Sequence, residues 1–409
     1  MATSKKGASR VTEIPDHLLA EILLRLPAPA DLARASAACV SFRRLVTNRS
    51  FLRRFRRLHA RPLLGFRDHD GFNRALPPHP SASAARALAD AADFSFSFLP
   101  SHCRWAVQDI CDGRVLLHGL PERREQLPLF TELVVCDPLH RRYILLPPVP
   151  DDLAASVQHP DPMVRRPQCK PFLVPLDEEE EAATVEETTF TLIWMVHCKT
   201  NLSAFVFSSS SGQWRAVASR AWSDLAHGEG EFVIMARMHP VFFLRRHYAY
   251  GCFYWDWLLI KSKKLLVLDT RRMEFSMADL PPGEWSAQGL AIVEAGEGRL
   301  GLFGFHDGTA SALSYTIARN KGRSPSQWQM EKRISLDSGY QYYIKDATGR
   351  YLLLRRTETS SLENSLTEYF SMDIKTLNLQ RICAKQGTNM YGKCIYTNFP
   401  PSLLSTPTI

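Results

Sequence analysis

Four segments in the last three hundred residues share one arrangement, and it restricts the fold more than any other feature of the chain. An apolar strand ends near a polar or acidic residue, a turn follows, and a second strand leads to Trp or to Leu-Pro-Pro. The plainest copies run from Leu133-Val134-Val135-Cys136-Asp137-Pro138 to Leu146-Pro147-Pro148, and from Leu265-Leu266-Val267-Leu268-Asp269 to Leu280-Pro281-Pro282. Fainter copies join Phe205-Val206-Phe207 to Trp214, and Tyr369-Phe370-Ser371-Met372-Asp373 to Leu379. Divergent pairs of antiparallel strands, repeating at roughly 40 to 50 residues, are the trace that a β-propeller leaves in sequence. About six or seven blades fit that spacing, with a β-sandwich as the alternative fold. The chain has no Gly-Gly pair and a single Trp-Asp step at Trp255-Asp256, so neither the kelch nor the WD type of blade is indicated.

Short apolar or alternating runs at 94–98, 114–117, 133–136, 190–196, 204–207, 265–268, 299–305 and 351–354 read as strands. Before them, residues 73–93 carry Pro77-Pro78-His79-Pro80 and an Ala/Ser-rich run with a short helix expected at 84–92. The expected layout is a disordered 1–9, a helical module at 10–60, a linker and first loop at 61–93, the β-domain at 94–400 and a tail at 401–409.

The formal net charge of +8 belongs to one end of the chain: residues 1–61 hold 13 Lys/Arg against 4 Asp/Glu, which leaves 37 against 38 elsewhere. Much of it is a series of arginines, Arg43, Arg44, Arg49, Arg53, Arg54, Arg56, Arg57 and Arg61. The acidic run Asp177 to Glu181, with Glu186 and Glu187, lacks apolar anchors and reads as a solvated loop.

Within the basic module, Pro15 suits a first helical turn, Asp16 places an acid at its positive end and Pro27 stops it, which predicts a helix over 15–26. At about 100° per residue, Leu18, Leu19, Ile22, Leu23 and Leu26 span an arc of roughly 140°, wide enough to touch two neighbours. Leu24 falls outside that arc and is a candidate for partner contact. Pro29 and Asp31 open a second stretch with Leu32, Ala35, Cys39, Phe42 and Val46 at helical steps. Asn48 or Ser50 can cap a third helix, with Phe51, Leu52, Phe55 and Leu58 on one side and Arg53, Arg54, Arg56 and Arg57 on the other. A module of about 45 residues buries little core alone, so a partner is expected to complete it.

The series Ile14-Pro15-Asp16-His17-Leu18-Leu19-Ala20-Glu21-Ile22-Leu23-Leu24-Arg25-Leu26-Pro27, then Asp31-Leu32-Ala33-Arg34-Ala35, then Ala38-Cys39-Val40-Ser41-Phe42-Arg43-Arg44-Leu45, resembles the F-box motif. The resemblance implies a three-helix motif that docks onto the Skp-type adaptor of a cullin-RING ubiquitin ligase, while the rest of the chain selects a target protein. By position it makes Ile14, Pro15, Leu18, Ile22, Leu23, Leu32, Phe42 and Leu45 adaptor-facing or supporting residues, with Leu19, Leu24 and Leu26 joining the set. The family usually has Trp where this chain has Phe42, so a large aromatic is kept but the indole donor is lost. A looser resemblance, carried by Trp105 to Leu117 with Asp112-Gly113-Arg114, Val135-Cys136-Asp137-Pro138 and Leu145-Leu146-Pro147-Pro148, is to the F-box-associated region of a large plant F-box group.

The resulting expectation is a non-catalytic substrate receptor with no cofactor and no metal, whose target the sequence does not reveal. The rival readings are a nucleic-acid or chromatin-associated protein using the arginine helix, and an F-box scaffold outside the ligase. No run approaches the roughly 20 apolar residues of a membrane span, and the polar start Met1 to Lys6 lacks a signal core, so an intracellular site, nucleus or cytoplasm, is expected without membrane association. The nine cysteines show no pair at the two-residue gap of zinc sites and read as reduced, mostly buried thiols; His197-Cys198 and the thirteen scattered histidines could meet in space, but their spacing does not separate that from ordinary core or surface use. Gly296-Glu297-Gly298-Arg299-Leu300-Gly301 matches a dinucleotide spacing, but a strand follows it where that chemistry needs a helix, so a hairpin turn is expected. Tyr248, Tyr250, Trp255 and Trp257 with Arg245 and Arg246 read either as a recognition cluster or as core.

Overall fold

The structure, a computed structural model, describes residues 14–26, 29–59, 61–120, 129–157, 168–175, 189–198, 200–225, 246–256, 263–306, 308, 311–320, 327–358, 366–386 and 394–397. They form two compact units, divided between Arg61 and Pro62.

The first unit is helical: α1 (Asp16–Leu24), α2 (Pro29–Ala38), α3 (Val40–Val46) and α4 (Arg49–Leu58). The second stretch expected as one helix is two, because Cys39 is extended at φ −153° and ψ 142° and its carbonyl accepts from Arg43 N–H to start α3 afresh. Asn48 caps α4, its side-chain oxygen accepting from Ser50 N–H at 2.9 Å. Leu19, Leu23, Leu24, Leu32, Val46, Phe51 and Phe55 pack together as the core.

The second unit opens with β1 (Leu63–Asp68), β2 (Gly71–Arg74) and α5 (Ala82–Ala91). This corrects the expected linker at 61–93: Leu63, Leu64 and Phe66 are fully buried, and α5 lays Ala85 and Leu88 into the same core. Prolines and small residues there punctuate packed structure. The strand expected at 94–98 is a turn instead. Asp93 draws it tight, its carboxylate accepting from the N–H groups of Ser95 and Ser97, the side-chain competition that keeps such residues out of ladders.

The next sheet holds β3 (Arg104–Cys111), β4 (Arg114–Leu120), β5 (Leu133–Asp137) and β6 (Arg142–Leu145), followed by α6 (Asp151–Ala155). Then come β7 (Gln168–Leu173), β8 (Thr191–His197), β9 (Asn201–Ser208) and β10 (Gln213–Ala221), with α7 (Trp222–Leu225) after them. A third set is β11 (Arg246–Ala249), β12 (Cys252–Asp256), β13 (Lys264–Asp269) and β14 (Glu274–Asp279). The fourth is β15 (Trp285–Glu294), β16 (Leu300–His306), β17 (Ala312–Ala318) and β18 (Trp328–Ser335). The fifth is β19 (Tyr340–Ala347), β20 (Tyr351–Glu358), β21 (Leu366–Asp373) and β22 (Leu379–Gln386), and β23 (Cys394–Thr397) is last.

Each set is an antiparallel meander, and β23 joins the opening strands as β2-β1-β23. The inner strands stand side by side, β23 next to β3, β3 next to β7, β11 next to β15, β15 next to β19 and β19 next to β23. Six sheets around a ring of inner strands make a six-bladed β-propeller, and the sandwich alternative is set aside. The ring closes where β1 pairs with β23, Leu63 opposite Thr397 and Phe66 opposite Ile395.

The recurring unit is the outer hairpin of four blades. Oδ1 of Asp137 accepts from Leu139 and His140 N–H, that of Asp269 from Arg271 and Arg272, and that of Asp373 from Lys375 and Thr376, all at 2.9 to 3.1 Å. Four residues after each aspartate the chain turns left-handed, at Arg141 (φ 53°), Met273 (φ 54°) and Leu377 (φ 59°). The fourth copy replaces Asp with Ser208 and reaches the same bend at Gly212 (φ 66°). The Leu-Pro-Pro carbonyls receive indole N–H groups, Pro147 from Trp214 at 2.8 Å and Pro281 from Trp285 at 2.9 Å.

Inner strands use aspartate differently. Asp109 and Asp346 sit at bulges of β3 and β19, and each reaches the next blade, Asp109 accepting from Leu173 N–H at 2.8 Å and Asp346 from Ile395 N–H at 2.7 Å. Burial pushes Asp346 up to about 6, against the opposing pull of the Ile395 and Ala347 N–H groups and of Arg246 and His247. No helix among the described residues is long and apolar enough to cross a membrane.

Candidate functional site

The wide apolar arc of α1 divides between two surroundings. Leu19 and Leu23 are buried among Leu32, Val46, Phe51 and Phe55, while Leu18 and Ile22 keep 49% and 53% of their surface exposed. Ile14, four residues before Leu18, is 39% exposed, and Pro15 beside it is exposed as well. Spacing of four puts Leu18 and Ile22 in one row along the helix, and Ile14 is exposed just before its N-cap Pro15. A row of branched apolar side chains turned to solvent is unfavourable for an isolated helix and is what a docking face requires.

Leu24, expected at the partner contact, is 2% exposed and belongs to the core, because α4 packs on that side of α1 and His59 Nε2 donates to the Leu24 carbonyl at 2.6 Å. Leu26, Phe42 and Leu45 are half-buried against the core, and Leu32 is buried. Leu58, expected on the apolar side of α4, is 62% exposed, one step past the core pair Phe51 and Phe55. Val40, at the start of α3, is 81% exposed and was not singled out from the sequence, whose pattern showed no break at Cys39.

Polar contacts set the helices around this face. Arg44 reaches Asp16 at 2.8 Å, tying α3 to the start of α1, and Arg54 reaches Glu21 at 2.5 Å, tying α4 to its middle. Arg34 pairs with Asp31 at 3.0 Å, so several of the arginines are matched by carboxylates of the unit itself. The side chains of Arg53, Arg56 and Arg57 lie outside the described residues. A cleft of about 310 Å³ between α1, α3 and α4 is lined by Asp16, Ala20, Leu24, Leu45, Phe51 and Arg54. Backbone N–H groups of Phe42 and Ser41 hold the Cys39 thiol below its usual range.

With this geometry in view, residues 11–58 match the F-box-like family. Residues 11–58 are an F-box-like domain. In it, the exposed row of α1 and the buried leucines beneath it occupy positions the motif resemblance named. Against curated proteins the sequence has no match. Among solved structures, the chain is similar to an oligogalacturonate lyase in complex with manganese at 12% identity and a TM-score of 0.32, over 68% of this chain and 65% of that one. It is similar to 1,3Gal43A, an exo-β-1,3-galactanase from Clostridium thermocellum, at 11% and 0.30, over 68% and 60%. It is similar to oligopeptidase B from Trypanosoma brucei with covalently bound antipain at 10% and 0.33, over 69% and 34%. The chain spans less than two thirds of the length of these proteins, and the similarity is too low to carry their chemistry across.

The propeller places three further groups that the sequence had brought forward. Trp255 is fully buried with Phe172 and Phe253, Tyr248 packs on that cluster, and Arg246 turns to Asp109 and stacks 4.9 Å over Phe172. Trp255 is thus interior and Tyr248 and Arg246 are half-buried against it; Trp257 and Arg245 lie outside the described residues. The Gly296 to Gly301 segment is the hairpin turn between β15 and β16, with Ala295 N–H donating to the Arg299 carbonyl at 2.9 Å. The His197 ring lies 4.9 Å from that of Trp222, and Cys198 Sγ donates to the Val157 carbonyl.

Proposed function

We propose that this chain is the substrate-recognition subunit of an SCF-type cullin-RING ubiquitin ligase. The F-box-like domain holds a Skp-type adaptor, and the propeller holds the protein to be ubiquitinated, within the nucleus or cytoplasm. The observation that carries this reading is the apolar set Ile14, Leu18 and Ile22, half in solvent on a domain of this family. Docking would remove the set from water, a gain that scales with apolar area. The chain itself supplies no reacting group; it accelerates ubiquitin transfer by holding target and ligase together, which raises their effective concentration. Co-purification of the full chain with a Skp-type adaptor tests the reading. Complex formation by the wild type and its loss in Leu18→Asp/Ile22→Asp supports it, and equal behaviour of the two refutes it.

A further inference from the structure

In the first full blade, three unlike donor groups meet at one point. His102 and Cys103 immediately precede β3, and Glu132 immediately precedes β5. The ladder places them together, because Trp105 pairs with Gly119 of β4 and Gly119 N–H donates to the Glu132 carbonyl at 2.8 Å. The ligand atoms of His102, Cys103 and Glu132 all lie within 4.8 Å of one another, with His102 Nε2 2.5 Å from a Glu132 oxygen. Gly119 leaves the space they use: a Cβ there would stand 3.1 Å from Cys103 Sγ and 3.6 Å from Glu132 Cβ, tight enough to displace the sulfur. The edge-on contact of His102 with Trp105 orients the imidazole, and the Trp105 indole N–H is itself fixed to the Pro100 carbonyl at 2.8 Å. On the outer side the cluster opens to solvent, with His102 exposed and Cys103 partly covered.

We propose that His102, Cys103 and Glu132 bind a zinc ion whose fourth position is held by water. A nitrogen, a sulfur and a carboxylate oxygen form a donor set of borderline softness, which suits zinc better than magnesium or calcium. Tetrahedral zinc with bonds of about 2.0–2.3 Å spaces its donors roughly 3.3–3.8 Å apart, so binding would draw the widest pair in by about 1 Å and part the hydrogen-bonded His102–Glu132 pair by about as much. On binding, the Cys103 S–H bond breaks, its proton passes to solvent, and the sulfur pair forms the bond to zinc. His102 binds through Nε2 as neutral imidazole. The ion clips the turn before β3 to the start of β5 and keeps one coordination position facing outward.

The test uses the full chain stripped of metal and titrated with zinc against a chromophoric chelator. One site per chain is expected, weakened about tenfold or more by each of His102→Ala, Cys103→Ala and Glu132→Gln, with the metal-free melting temperatures unchanged. Cobalt in place of zinc should show the near-ultraviolet absorption of a thiolate bond, lost in Cys103→Ala. Zinc should also slow alkylation of Cys103 selectively among the nine cysteines, read by peptide mass spectrometry. The proposal is overturned if the wild type binds no zinc in the micromolar range. It is equally overturned if the variants bind like the wild type, or if only Cys103→Ala matters, which would mean an ion on a single thiol.

Discussion

Replacing Leu18 and Ile22 separates folding from docking, because each is already half removed from water before any partner arrives. Full burial of a Leu or Ile side chain contributes about 1.5–3 kcal/mol, so the half left for docking is worth about 0.8–1.5 kcal/mol at each position. Leu18→Ala/Ile22→Ala should therefore weaken adaptor binding by about 1.5–3 kcal/mol, roughly 10- to 100-fold. Leu18→Asp/Ile22→Asp adds the desolvation of two unpaired carboxylates, several kcal/mol more, and should abolish measurable binding. Calorimetric titration of the full chain with a Skp-type adaptor gives the affinities. Amide exchange over α1 to α4, read by mass spectrometry, shows that the helices persist. Intact helices together with near-wild-type affinity in the Asp pair would refute the assignment of this row to the interface. Leu23 and Leu24 are the contrast: with 3% and 2% exposure, either changed to Asp should unfold the helical unit itself.

The outer hairpins allow a paired experiment: Gly212→Ala should destabilise the propeller by about 0.5–1 kcal/mol, and exposed Arg141→Gly at the equivalent bend should stabilise it by a similar amount, both read by denaturant unfolding. The same sign for both would refute the equivalence of the turns. Asp269→Ala leaves two backbone donors without their carboxylate and should cost about 1–3 kcal/mol, seen as a lower denaturation midpoint. Burial, with Lys170 nearby, lowers His118 from 6.5 to about 4. The unfolded chain then binds the extra proton between those values, so this stabilisation is complete above pH 6.5 and is lost as pH falls toward 4. His118→Gln should accordingly lose less melting temperature than the wild type between pH 7 and pH 5, and parallel curves would exclude the effect.

How much was legible depended on which strands face which neighbours. The outer hairpins carry their turn chemistry in side chains, Asp137, Asp269 and Asp373, and so repeat visibly. The innermost strands hide theirs. β3, β15 and β19 are broken by bulges at Val107/Asp109, Trp285/Leu290 and Ile344/Asp346, which scramble the two-residue alternation. β1 and β2 read as a linker although they pair with each other as a local hairpin, because the strand that completes their sheet, β23, lies at the far end of the chain, where no local pattern announces it. In the F-box-like domain, helical spacing gave the apolar arc but did not separate exposed Leu18 and Ile22 from buried Leu19 and Leu23, and it left Leu24 outside because the arc of a single helix does not show that α4 covers a second side. The His102, Cys103 and Glu132 grouping needs the β3–β4–β5 register and has no linear spacing to betray it.

Pairing of β1 with β23 also sets a timetable for biosynthesis. Leu63 leaves the ribosome roughly 330 residues before Thr397, a wait of about 15–70 s at about 5–20 residues per second. Throughout that interval the innermost position beside β1 stands open, an unpaired edge flanked by a buried-type apolar surface. The helical module, whose contacts span only its own few dozen residues, can be complete long before. During synthesis the chain thus presents a finished handle on an open ring, and any factor that guards exposed edges has its window then.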